Sequence, residues 1–89
     1  MGGTRVAQIE TELRQFVIDN FLFGQGDVQL ENDDSFMERG IVDSTGVLEL
    51  VAFLEKQYQI KVEGKDLIPD NLDSISNLLR FLENKLQIA

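Results

Sequence analysis

Three stretches of this chain return apolar residues every three or four positions, the spacing that lines one face of a helix. From Thr4 to about Phe23 the stripe is Val6, Ile9, Leu13, Phe16, Val17 and Phe21, with Glu10, Glu12, Arg14 and Asp19 between. From Ser44 to Tyr58 it is Val47, Leu50, Val51, Leu54 and Tyr58, with Phe53 falling between faces. From Ser74 it is Ile75, Leu78, Leu79, Leu82 and Leu86, with Lys85 in the last turn, where a cation suits the helix dipole. Gly24-Gln25-Gly26 is predicted to end the first helix, because glycine tolerates the left-handed geometry of a helix terminus. A single helical turn over residues 64–68 is expected before Pro69 forces an extended step on the residue ahead of it. The predicted fold is all-α, a small right-angled or antiparallel bundle of three long helices (4–23, 44–58, 74–87) and one short one, with no sheet. At 89 residues the chain is expected to form one domain, 1–89, with a single core and little room for a deep cleft.

The residues that are missing narrow the chemistry. There is no Cys, hence no disulfide, thiolate nucleophile or sulfur-bound zinc, and no His, hence no triad or imidazole metal site. Conventional hydrolase chemistry is thereby set aside, no catalytic residue is assigned, and any thiol the protein uses must come from elsewhere. The formal charge of −8 and pI near 4.3 argue against nucleic acid and anionic membrane surfaces and point to basic protein surfaces as partners. No apolar run approaches membrane-spanning length, Met1-Gly2-Gly3 leads into no signal-peptide apolar region, and Val6 breaks the myristoylation pattern. No membrane insertion and a cytoplasmic location are therefore expected.

The acids are concentrated. Between residues 27 and 55 Asp27, Glu31, Asp33, Asp34, Glu38, Asp43, Glu49 and Glu55 are opposed only by Arg39. Crowded like charges are predicted to raise the average carboxyl pKa in the folded state, so that stability rises as pH falls from neutral toward about 5, with helix-capping acids such as Asp43 opposing the trend. Residues 24–43 form a long acidic loop, pinned by Val28, Leu30, Phe36, Met37, Ile41 and Val42. Its segment Asp27 to Glu38 has the length of a calcium-binding loop, but Asn32 stands where glycine is needed and Gln29 where an acid or Asn is needed, so no metal site is assigned.

Asp43-Ser44 stands where this loop becomes helix. A helix start offers unpaired N–H groups and the positive end of the dipole, so a phosphate ester on Ser44 would be electrostatically favoured there. Asp or Ser before a helix is also an ordinary N-cap, and a bare pair does not choose between the two. The same pair recurs as Asp73-Ser74, where Ser74 is expected only to cap. The middle helix carries a second face, Thr45, Leu48, Glu49, Ala52, Glu55 and Lys56, mixing apolar groups with acids. Such a face suits docking onto a partner with a basic rim and a small apolar pocket, or is plain solvent face with one stray Leu.

Ser35-Phe36-Met37-Glu38-Arg39-Gly40 followed by Asp43-Ser44, then Leu48-Glu49-Leu50-Val51, Leu54-Glu55 and Tyr58, and finally Ile68-Pro69-Asp70-Asn71-Leu72 with Ser74-Ile75, together resemble the acyl carrier protein family over essentially the whole chain. The resemblance implies an acyl-carrier-like four-helix bundle that is not an enzyme but a free-standing, monomeric carrier. It implies that Ser44, in a motif with Asp43, bears 4′-phosphopantetheine from coenzyme A, whose thiol holds acyl or aminoacyl cargo as a thioester. The implied partners are a phosphopantetheinyl transferase, an acyl or aminoacyl ligase and a downstream acyltransferase with basic docking surfaces. Thr45 stands where the family most often has a larger apolar residue, Gly46 where an acid or polar residue is common, and Lys56 where an acid is common. These departures favour a dedicated carrier serving its own ligase over a housekeeping role, with fatty acid and specialised metabolite biosynthesis both left open as the pathway, and Gly46 is similar to the D-alanyl carrier branch. The alternatives are a housekeeping carrier of fatty acid biosynthesis and an unmodified acidic helical adaptor for a basic protein.

Overall fold

A computed structural model describes residues 2–22 and 30–86, with side chains from residue 6 onward. The protein is all-α: α1 spans Gly2–Phe21, α2 Ser44–Tyr58, α3 Pro69–Leu72 and α4 Ile75–Leu86, with a 3-10 turn at Gly64–Asp66 and no strand among the described residues. Each long helix turns its stripe inward. Ile9, Leu13 and Val17 from α1, Leu50 and Leu54 from α2, Leu72 from α3, and Ile75, Leu78, Phe81 and Leu82 from α4 form one buried cluster. Removal of this apolar surface from water is the main force joining helices that would each be marginal alone.

The connection before α2 is part of the core. Leu30, Phe36 and Val42 are buried with the helices, and Phe36 is only 1% exposed. Its backbone is clamped as well: the Phe36 N–H donates to the Asp73 carbonyl at 2.8 Å, and the Phe36 carbonyl accepts from Ile41 at 2.8 Å and Val42 at 3.3 Å. Gly40 turns the chain there with φ +68°, a conformation that glycine adopts without steric cost. Arg14, on α1, reaches across with its guanidinium to the Leu30 carbonyl and the Asn32 side chain. On the other side the Ser76 N–H donates to the Asn32 carbonyl at 2.9 Å, and the Ser76 hydroxyl to Asp33 at 2.7 Å. The segment is therefore stitched to both α1 and α4.

Two details depart from expectation. The short helix was expected over 64–68; instead a 3-10 turn stops at Asp66, Ile68 takes the extended step expected ahead of proline (φ −126°, ψ 152°), and Pro69 opens α3 as its first residue. The missing N–H of proline costs nothing at that position and its fixed φ is already helical, so the residue read as a stop is also a start. Phe53, left without a side, stacks on Phe16 of α1 with ring centroids 4.1 Å apart and meets Tyr58 edge-on at 6.1 Å. The expected helix end at Gly24-Gln25-Gly26, and Phe23, Asp27, Val28, Gln29 and Gln87, lie outside the described residues.

Candidate functional site

The two Asp-Ser pairs are used in opposite ways. At the first, Asp43 has extended backbone (φ −103°, ψ −173°) and its Oδ1 accepts from the Gly46 N–H at 2.7 Å, so aspartate is the N-cap and Ser44 is the first helical residue. Ser44 is exposed and its hydroxyl makes no hydrogen bond among the described residues. At the second, the register is one residue later. Ser74 is 5% exposed and its Oγ accepts from the Asn77 N–H at 3.0 Å, making serine the cap of α4. Asp73 is turned back to the loop, accepting from the Ser35 hydroxyl and from the Met37 N–H at 3.0 Å. Of the two serines, only Ser44 has a hydroxyl accessible to another protein.

The first turn of α2 is held from beneath. Gly46 is buried, and a Cβ there would stand 2.9 Å from the edge of the Phe21 ring and 3.1 Å from a Val42 methyl. The lack of a side chain at Gly46 is thus a packing requirement: Phe21 closes against the helix start because nothing projects from it. Gly46→Ala sets about 1 kcal/mol of helix propensity against about 1–3 kcal/mol of overpacking, and a net loss is expected by thermal melting. Phe21→Leu in the same chain should recover part of it; a Gly46→Ala protein more stable than the parent would refute the close packing.

On the outer face of α2, Thr45, Leu48, Glu49, Ala52 and Lys56 are exposed, with Leu48 at 64%. Glu55 differs. It is half-buried, and its Oε2 accepts from the Val62 N–H at 2.9 Å, tying the segment after α2 back onto the helix. Beside the first turn lies a small apolar groove of about 90 Å³ walled by Phe36, Met37, Val42, Val47, Leu67 and Ile68. Its walls come from three separated parts of the chain, and no spacing in the sequence announces it. Among the described residues no group of three carboxylates comes together to hold a metal ion. No helix among them is long and apolar enough to cross a membrane.

Among the described residues two carboxylates have pKa values below the usual range. Asp34 is lowered first by the Glu31 N–H it accepts at 2.8 Å and further by the Arg39 guanidinium at 2.6 Å. Asp66 is lowered first by the Glu63 N–H at 3.0 Å and then by Lys85 at 3.0 Å. Asp34 lies inside the acidic stretch whose crowding was expected to raise pKa values on average; local donors outweigh repulsion at this carboxylate. A depressed folded pKa means the native state binds fewer protons than the unfolded chain between the two values, so the stabilisation is present above about pH 4 and lost as pH falls through the folded pKa. The melting-temperature difference between the parent and Asp66→Asn should therefore hold from neutral pH to about 4 and shrink below it. A difference that widened toward low pH would contradict the assignment.

No known protein-family profile matches the chain. The chain is similar to a curated protein named "Probable acyl carrier protein PigG" from Serratia sp. (strain ATCC 39006), with 24% identity over 75 residues, covering 84% of this chain and 85% of that protein.

Proposed function

We propose that this chain is an acyl or aminoacyl carrier that holds its cargo as a thioester on a 4′-phosphopantetheine arm attached to Ser44. The observation that carries the reading is the contrast between the two Asp-Ser pairs: Asp43 does the capping and leaves the Ser44 hydroxyl exposed, whereas Ser74 caps and is buried. The similarity to a protein named as a probable acyl carrier, over most of both chains, supports the same reading. The site fits the group. A phosphodiester on Ser44 would leave from an exposed first-turn position at the positive end of a 15-residue helix, displacing no hydrogen bond among the described residues.

In this reading the Ser44 oxygen attacks the phosphorus that joins pantetheine to the nucleotide of coenzyme A. The new O–P bond forms as the bond to the nucleotide phosphate breaks, and the serine proton passes to a base of the transferase. The carrier contributes an accessible hydroxyl on a rigid helix start and no base of its own, which accounts for a chain without His or Cys. The arm then supplies the thiol, and tethering raises the concentration of cargo at whichever enzyme is docked. The whole chain acts as one carrier domain in the cytoplasm, serving a ligase and an acyltransferase that dock on α2 through Thr45, Leu48, Glu49, Ala52 and Lys56, with Glu55 at the edge of that face. Intact mass before and after treatment with coenzyme A and a broad-specificity phosphopantetheinyl transferase tests the reading directly. One added phosphopantetheinyl group is expected; an unchanged mass would leave the acidic adaptor as the better account.

A further inference from the structure

The charge on the docking face of α2 is not the charge its composition suggests. The helix carries Glu49, Glu55 and Lys56, a net acidic set, yet Glu55 is half-buried and engaged with the Val62 N–H at 2.9 Å. Asp43, at the head of the helix, is engaged with the Gly46 N–H as the N-cap and is not one of the residues of the outer stripe. The exposed stripe therefore presents one acid, Glu49, and one base, Lys56, neither in an ion pair among the described residues. What dominates it is Leu48, at 64% the most exposed large apolar side chain among the described residues, ahead of Met37 at 52%. Leu48 follows Ser44 by four residues, which puts it one turn along on the same side of the helix, with Cβ atoms about 5–6 Å apart.

We propose, resting on the carrier reading, that enzymes acting at Ser44 grip α2 through an apolar pocket that takes Leu48. Their rim is charge-paired, with a base opposite Glu49 and an acid opposite Lys56, and is not uniformly basic. The argument is one of complementarity. A uniformly basic surface would gain from Glu49 but would bring like charge against Lys56, and a mismatch of that kind at a docked interface costs more than a screened rim pair returns. Burial of Leu48 has no such conflict. The overall charge of −8 still draws basic surfaces from a distance, where it acts on encounter and not on the docked contact.

Steady-state kinetics of the transferase with coenzyme A and the full-length carrier as varied substrate tests this. Leu48→Ala is expected to raise KM about tenfold with kcat little changed, equally at low salt and at about 1 M, where the screening length is only about 3 Å. Glu49→Lys and Lys56→Glu should each raise KM about two- to threefold at low salt and converge on the parent at high salt. The sign for Lys56→Glu decides the matter, since a uniformly basic partner would bind that variant more tightly. A lower KM for Lys56→Glu, or a Leu48→Ala protein with unchanged helicity and unchanged KM, would overturn the proposal. Failure of the parent protein to gain the arm is read before any variant is made; it would remove the carrier reading and this proposal with it.

Discussion

Ser44→Ala is expected to abolish the mass gain on incubation with coenzyme A and transferase while leaving the melting temperature within about a degree or two of the parent. The loss of modification is expected because the neighbouring hydroxyl, Thr45, is displaced by about 100° around the helix, and the serine of the other Asp-Ser pair, Ser74, is buried at the start of α4. The small effect on folding follows from the geometry. Asp43 supplies the cap, the Ser44 hydroxyl makes no hydrogen bond among the described residues, and alanine is the better helix former by up to about 0.5 kcal/mol. Ser74→Ala is the mirror experiment. It strips the acceptor from the Asn77 N–H in a buried place, so it should cost about 1–2 kcal/mol and leave modification intact. A Ser44→Ala protein that still gained the group would move the site elsewhere.

Phe36→Ala should be the most destabilising single change in the segment before α2, at about 3–5 kcal/mol, out of a total stability of about 4–13 kcal/mol for a chain of this length. Among the described residues Phe36 is the bulkiest of the fully buried side chains, and it brings an aromatic ring to the core where Leu30 and Val42 bring smaller aliphatic groups. Without it the backbone clamps to Asp73, Ile41 and Val42 must hold the segment alone, and the start of α2 loses its support. The loss should appear in denaturant titration as a lower midpoint with little change in slope. Met37→Ala, one residue on, removes a side chain that is 52% exposed and is expected to stay within about 0.5–1 kcal/mol. If the two variants unfolded at similar denaturant concentrations, the segment would not be part of the core.

The sequence alone determined the helical character of this chain, because helix-forming periodicity is a property of neighbours three and four apart and needs no partner to be read. The stripes through Leu13, Leu50 and Leu78 all turn inward, and α2 begins at Ser44 behind the Asp43 cap. Local chemistry of this kind is written in a few consecutive residues. The second role of Pro69 was missed for the same reason in reverse: proline excludes helix on one side and favours it on the other, and only the chain beyond it shows which applies.

What the tertiary structure decided is everything that joins distant residues. Arg14 meeting Leu30 and Asn32, Asp73 meeting Ser35 and Met37, and Glu55 meeting Val62 are pairings that no periodicity encodes, since each depends on how two segments approach after the core has closed. The face of α2 illustrates the difference. Counting residues made it acidic, but folding withdrew Glu55 into a backbone contact and left Leu48, Glu49 and Lys56 facing outward. Gly46 looked like a missing polar group and is a seat for Phe21. Composition reports which charges and side chains a chain possesses; only burial and hydrogen bonding in three dimensions determine which of them another molecule can meet.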